Sequence, residues 1–179
     1  MYQMKRSATL SLITIICAAY LVDQLYPQFY EYTALYGPLV QSGEYWRLFT
    51  VALVHGGLTH LFFNMFSLLV LGNPVEAAFG KARFLVIFLV SLLTGSLASI
   101  YLNSGPHVSV GASGAIFGLF GSFIAMRKII SEGVRDIYVI VGLNFALGFI
   151  LGGVDWRAHL GGLVGGYLTT AVLLRITRM

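Results

Sequence analysis

The chain contains 179 residues, of which 58% are hydrophobic and only 10% are charged. Ordinary soluble domains carry about 25% charged residues, so this composition excludes a water-soluble surface and favours a single membrane domain over residues 1–179. The formal net charge of +4 comes from basic residues dispersed between apolar runs, which is typical of oriented membrane helices and argues against nucleic-acid binding.

Six apolar segments approach the length of about 20 residues that a helix needs to cross a hydrocarbon core of about 30 Å. They cover residues 8–25, 60–79, 84–102, 111–126, 137–154 and 158–174. The first follows Lys5 and Arg6 like a signal peptide, but no convincing cleavage site comes after it, so we predict a retained helix. The predicted fold is an all-α membrane protein, a bundle of six transmembrane helices.

One long connection, residues 26–59, separates the first two predicted helices. It is rich in Tyr, Trp and Leu, and it is too apolar to extend freely into water. We therefore predict a long outer loop that lies in the membrane interface, anchored by Tyr45 and Trp46.

The basic residues indicate how the helices are oriented. If the amino terminus is cytoplasmic, every Lys and Arg except Arg47 and Arg157 falls on the cytoplasmic side. This asymmetry follows the positive-inside rule, so we predict that both termini are cytoplasmic. The short chain without a targeting extension favours a multi-pass protein of a prokaryotic cytoplasmic membrane.

Polar residues, which are costly inside a membrane, recur in the second, fourth and sixth predicted helices. His60 and Asn64 lie one turn apart on the second helix. Ser113 lies within GASGAIFG near the start of the fourth helix, and His159 lies within AHLGGLVGG at the start of the sixth. Because these three helices all run from outside to inside, their first turns share one depth. Glycines four residues apart in both motifs let the helices approach closely.

Ser113 and His159 supply a nucleophile and a general base, because a serine hydroxyl is a weak nucleophile until an adjacent base takes its proton. No carboxylate lies at the same depth to orient the imidazole. Asp155 precedes the sixth helix in a loop, and Glu76 lies at the other end of the second helix. The sequence therefore predicts a dyad.

A tetrahedral intermediate also needs hydrogen-bond donors directed at its oxyanion. The backbone N–H of Ser113 has no acceptor within its own helix, because it belongs to the first turn. The Asn64 amide and the His60 ring can add donors from the second helix. Cys17 is the only cysteine and no HExxH motif occurs, so neither a metal nor another cofactor is predicted.

Four segments carry a resemblance to a known family: EYWRLFT, HGGLTHLFFNM, GASGAIFG and AHLGGLVGG. This ordered set resembles the rhomboid family of intramembrane serine proteases, with a motif-bearing core at about residues 43–170. The resemblance implies that Ser113 attacks a peptide bond and that His159 acts as base and then as acid. It implies that Asn64, His60 and the Ser113 N–H hold the oxyanion. It also implies single-span transmembrane substrates, which enter sideways from the lipid bilayer and are cut near the outer face.

Further residues match family positions with structural roles. Phe117 stands where an aromatic ring packs against the base histidine, although many relatives have Tyr there and its hydroxyl is missing here. Trp46, Arg47 and Glu76 match positions that shape the outer loop and tie helix ends together. The remaining structural positions are His55, Gly111, Gly114, Gly162 and Gly166.

Each polar residue also has a purely structural explanation. Ser113 could be a packing residue in a glycine-rich helix, and His159 could be a buried histidine or a proton relay. His60 and Asn64 could hold helices together through hydrogen bonds. His107 is expected to be merely solvated in a short outer loop.

Two other functions remain open at this point. One is a catalytically silent rhomboid-like protein that binds membrane clients without cutting them. The other is a small transporter or channel, which should show broken helices and pseudo-symmetric halves, and the sequence shows neither. The sequence indicates no oligomeric state.

Overall fold

The computed structural model describes residues 7–127 and 154–177. In chain order its elements are α1 (Ala8–Leu25), α2 (Gln28–Thr33), β1 (Leu35–Tyr36), α3 (Gly37–Gln41), α4 (Arg47–Thr50), a 3-10 turn (Val51–Leu53), α5 (Leu58–Phe79), α6 (Lys81–Leu102), β2 (Val108–Ser109), α7 (Ser113–Ala125) and α8 (Trp156–Thr177). The described chain is thus mostly helical, as predicted. The fifth predicted span, residues 137–154, lies outside the described residues except for Val154.

Four of these helices, α1, α5, α6 and α8, are long and apolar enough to cross a membrane. The prediction of α1 is confirmed at both ends. Ser7 caps its start by accepting a hydrogen bond from the Leu10 N–H at 3.3 Å, and Pro27 follows just after its end. The ends of α5, α6 and α8 lie within three residues of the predicted ones.

The fourth predicted span, residues 111–126, is longer than the helix that the structure contains. α7 has 13 residues, because Gly111 adopts a φ of 110°, which a helix cannot contain, and the chain leaves the helix at Met126. A helix of 13 residues is only about 20 Å long, shorter than the hydrocarbon core. The count of six membrane-crossing helices therefore stays a prediction.

The predicted outer loop is folded into short elements, α2 to the 3-10 turn. The buried Arg47 guanidinium holds them together. It donates to the Glu44 carboxylate at 2.6 Å and to the carbonyl oxygens of Glu31 and Ala34 at 2.7 and 2.8 Å. The Trp46 indole N–H donates to a carbonyl oxygen of α2 at 3.1 Å. Both residues therefore organise this segment, whose location at the membrane interface stays a prediction.

Several contacts attach this segment to the rest of the protein. β1 pairs antiparallel with β2, so that Leu35 lies opposite Ser109. The Ser96 hydroxyl of α6 donates to the Leu48 carbonyl oxygen at 2.8 Å. As a result, the stretch that leads into α7 is held against the segment that follows α1.

Glu76, near the end of α5, is bound by the start of α1. Its carboxylate accepts hydrogen bonds from the hydroxyls of Ser7 and Thr9 and from the N–H groups of Ala8 and Thr9, at 2.7 to 2.8 Å. The first N–H groups of a helix lack acceptors within it and carry partial positive charge. The carboxylate satisfies these donors and ties the two helix ends together.

Glycines let α7 and α8 pack backbone to backbone. A Cβ atom added to Gly162 would overlap the Gly114 carbonyl oxygen, and one added to Gly166 would overlap that of Gly118. Such close approach between helices is typical of small residues spaced four apart in membrane proteins. The packing brings the first turns of α7 and α8 side by side.

We expect the substitution Gly162→Ala to lower the free energy of unfolding by about 1–3 kcal/mol, because the added methyl group must push α7 and α8 apart. Thermal unfolding of the purified protein in detergent measures this change. Gly56→Ala is the matched control, because its Cβ would meet only the His60 ring, at 3.7 Å. Equal unfolding midpoints for the two variants would contradict the prediction.

Candidate active site

Ser113 and His159 lie in contact at the paired ends of α7 and α8. Ser113 is the first residue of α7, and His159 lies in the first turn of α8. The Ser113 Oγ atom and the His159 Nε2 atom are 2.9 Å apart, a normal hydrogen-bonding distance. The imidazole is buried, whereas Ser113 is partly exposed. A hydroxyl in this position can donate its proton to the ring.

The turn before α7 exposes the start of that helix to the site. Gly111 has a φ of 110°, and its N–H donates to the Val51 carbonyl oxygen at 2.9 Å. The next residue, Ala112, occupies the N-cap position and has no side chain that could cap the helix. The first N–H groups of α7, including that of Ser113, therefore have no acceptor within the helix and lie at its positive end.

Phe117 lies one turn after Ser113, and its ring stacks on the His159 imidazole. The ring centroids are 4.0 Å apart and the planes differ by 10°. Phe117 is itself buried in the core, so it provides a fixed surface against one face of the imidazole. This packing restricts rotation of the His159 ring, and it needs no hydroxyl group on residue 117.

The His60 ring lies against the backbone just before Ser113. Its Nδ1 atom accepts a hydrogen bond from the Gly56 N–H at 3.3 Å, so the neutral ring carries its hydrogen on Nε2. A Cβ atom added to Gly111 would lie 3.1 Å from this Nε2 and 2.8 Å from Cε1. Gly111 is therefore required both for its backbone conformation and for the space that the ring occupies.

His55 packs beside His60, with ring centroids 5.1 Å apart in an edge-on arrangement. The Ala112 N–H donates to the His55 Nε2 atom at 3.5 Å, a long hydrogen bond. His55 thus contacts the turn that leads into α7 and not the Ser113 hydroxyl. The structural role of His55 stays a prediction.

Asn64 is buried on the same side of α5 as His60, and its amide donates to the His60 carbonyl oxygen at 2.9 Å. Within residues 7–127 and 154–177, neither Asn64 nor His60 forms a hydrogen bond with Ser113. The structure therefore brings Ser113 and His159 into direct contact, and it places His60 beside the preceding turn. The oxyanion role of Asn64 and His60 stays a prediction.

The Asp155 carboxylate lies just before α8 and binds groups other than the dyad. Burial acts to raise the pKa of Asp155, but hydrogen bonds from Ser99, from the Ala158 N–H, from His107 and from Ser109 outweigh it and lower this pKa below its ordinary value. The carboxylate therefore remains ionised at neutral pH.

The expectation that His107 is merely solvated is wrong. Its Nε2 atom lies 2.9 Å from the Ser99 hydroxyl and 3.2 Å from the Asp155 carboxylate. The sequence offers one signal for this cluster, since Asp155 precedes a helix and stands three residues before Ala158, as an N-cap residue does. Its other partners come from distant segments, and no local pattern connects them.

Comparisons with known proteins agree with the motifs. Residues 42–176 match the Rhomboid domain family. Rhomboid protease GluP of Bacillus subtilis (strain 168) is 41% identical over 140 residues, which cover 75% of this chain and 27% of that protein. Putative rhomboid protease YdcA of the same organism is 39% identical over 134 residues, which cover 72% of this chain and 67% of that protein.

A plant protein is similar over the same part of the chain. RHOMBOID-like protein 5 of Arabidopsis thaliana is 40% identical over 151 residues, which cover 79% of this chain and 48% of that protein. The matched region thus makes up between 27% and 67% of these three relatives.

The buried His55 makes stability depend on pH. Burial, with a smaller contribution from His60, lowers the pKa of His55 from 6.5 to about 3. Between these two values the unfolded chain binds a proton that the folded chain does not bind, so stability falls as the pH falls through this window. We expect the unfolding midpoint of the unmodified protein to drop more between about pH 7 and about pH 4.5 than that of His55→Gln, whose amide oxygen can still accept the Ala112 N–H. Equal drops would contradict this role of His55.

Proposed function

Because the chain belongs to the rhomboid family, we propose that it is an intramembrane serine peptidase, with Ser113 as nucleophile and His159 as general base. The family and the long apolar helices make it an integral membrane protein. One observation carries the proposal: the hydroxyl and the imidazole are 2.9 Å apart, although 46 residues separate them in the chain. A serine and a histidine that served only to pack helices together would not need their hydroxyl and imidazole at hydrogen-bonding distance.

The contact supports a two-step reaction. His159 Nε2 takes the hydroxyl proton while Ser113 Oγ attacks the carbonyl carbon of the scissile bond. The protonated imidazole then gives that proton to the leaving amine as the peptide bond breaks, which leaves an acyl group on Ser113. In the second step a water molecule gives its proton to His159 and attacks the acyl carbon, and Ser113 is released with its proton restored.

The start of α7 supports stabilisation of the oxyanion. The Ser113 N–H lies at the positive end of the helix and has no acceptor within it. His60 carries its hydrogen on Nε2 and faces the turn before Ser113, and the buried Asn64 amide lies one turn further along α5. In the proposal, these donors turn to the oxyanion when the substrate carbonyl binds.

The substrates that we propose are single-span membrane proteins, cut near the outer face after they enter sideways from the lipid bilayer. A small cavity of about 10 Å³ adjoins Ser113, with Gly111 and Ala158 among its lining residues. A cavity of this size holds about one water molecule, so only a small group of the substrate fits there, which supports cleavage next to small residues. We also propose that the protein lies in a prokaryotic cytoplasmic membrane, with both of its termini in the cytoplasm.

A fluorophosphonate probe tests the nucleophile directly, because it reacts with an activated serine. We expect the purified protein to be labelled, and we expect Ser113→Ala and His159→Ala to abolish labelling. Cleavage of a single-span reporter should fall at least about a thousandfold in each variant, because a nucleophile and its general base act as one catalytic unit.

Ser122→Ala is the matched control, because this serine lies on the same helix but hydrogen-bonds the Gly118 carbonyl oxygen and Thr170. It should be labelled like the unmodified protein. Absence of labelling in the unmodified protein would contradict the peptidase function. Equal labelling of Ser113→Ala would show that another residue reacts.

We expect Asn64→Ala to lower kcat for the reporter by about a hundredfold to a thousandfold, with little change in KM, because an oxyanion donor acts mainly in the transition state. The control is Met65→Ala, which truncates the neighbouring buried side chain of α5 and removes no polar group. If the two variants lose kcat to the same extent, Asn64 contributes packing and not oxyanion binding.

A further inference from the structure

The two oxygens of Asp155 bind several segments of the protein. Oδ1 accepts a hydrogen bond from the Ala158 N–H at 3.2 Å and a long one from the Asn103 amide at 3.5 Å. Oδ2 accepts one from the Ser99 hydroxyl and lies 3.2 Å from Nε2 of His107. The side chain is only 14% exposed, so an ionised carboxylate here depends on these partners.

The first set of contacts fixes the start of α8. Asp155 is the residue before this helix, and its side chain caps the N–H three residues later, as N-cap residues do. Its own carbonyl oxygen accepts the His159 N–H at 3.2 Å. Asp155 thus holds the backbone of His159, which carries the imidazole, and of Ala158, the residue before it.

The second set of contacts reaches the segment that leads into Ser113. Ser99 lies near the end of α6, and His107 lies in the connection between α6 and β2. The His107 Nε2 atom is 2.9 Å from both the Ser99 hydroxyl and the Asn103 amide nitrogen. Asn103 in turn accepts a hydrogen bond from Arg157 of α8 at 2.8 Å. The cluster therefore joins α6, α8 and the connection that continues into α7.

We propose that Asp155 is a positioning residue for the dyad. This proposal rests on the peptidase function proposed above. Its carboxylate holds the first turn of α8 against the connection that leads into α7, and so keeps His159 Nε2 within hydrogen-bonding distance of Ser113 Oγ. Asp155 itself touches neither the hydroxyl nor the imidazole in the hydrogen bonds of the described residues. Besides the direct effect of its charge on the imidazole, we expect Asp155 to act on the reaction through distance, because a displacement of about 1 Å at reacting groups can cost about a hundredfold in rate.

The kinetic test compares three variants by kcat and KM for a single-span reporter. We expect Asp155→Ala to lower kcat at least about tenfold, while KM changes less than about twofold, because reacting groups and not substrate contacts are displaced. Asp155→Asn keeps an oxygen for the Ala158 N–H but loses the acceptor for Ser99 and His107, so its kcat should lie between those of Asp155→Ala and the unmodified protein. Ser7→Ala is the control, because Ser7 caps α1 through a similar hydrogen bond, to the Leu10 N–H at 3.3 Å.

A second measurement is independent of turnover. The ¹⁵N resonance of the His159 Nε2 atom, assigned by its loss in His159→Gln, reports the hydrogen bond with Ser113. We expect Asp155→Ala to move this resonance to the position that it has in Ser113→Ala, and we expect Ser7→Ala to leave it unchanged.

The outcomes separate the two proposals. If Asp155→Ala lowers only the unfolding midpoint, as Ser7→Ala does, and leaves kcat and the His159 resonance unchanged, Asp155 is a cap alone and the positioning role is overturned. If the unmodified protein neither reacts with fluorophosphonate nor cuts the reporter, the peptidase function fails. In that case a shifted resonance in Asp155→Ala still supports a role in holding the two side chains together.

Discussion

The direct backbone contact between α7 and α8 is the constraint on which the rest of the structure depends. Gly162 faces the Gly114 carbonyl oxygen and Gly166 faces that of Gly118, with no room for a side chain between them. This spacing fixes both the distance and the relative height of the two helices. The positions of Ser113 and His159 follow from it, because each lies in the first turn of its helix.

Three charged groups stabilise ends and connections of helices. Arg47 binds carbonyl oxygens in the segment after α1, Glu76 binds the first N–H groups of that helix, and Asp155 caps α8. In each case a charge is satisfied by backbone groups that a helix or turn leaves without partners. Such charges can be buried in an apolar protein because the backbone supplies their hydrogen bonds.

The sequence predicts the parts that depend on local patterns. Hydrophobic length predicts α1 at both ends, and the shared direction of alternate helices predicts that Ser113 and His159 lie at one depth. The short α7 is missed because hydropathy does not register the positive φ of Gly111. The cluster of Asp155, Ser99 and His107 is missed because its members lie in three separate segments, which only tertiary packing brings together.

The difference in length between α7 and its neighbours has a consequence for hydration. Helices of 22 residues such as α6 and α8 extend about 33 Å, about 13 Å more than α7. If α7 runs along the bundle axis, one of its ends must lie inside a hydrocarbon core of about 30 Å. In the proposed orientation this is the end that carries Ser113, which then lies close enough to the outer surface for water to reach it without a tunnel through the bilayer.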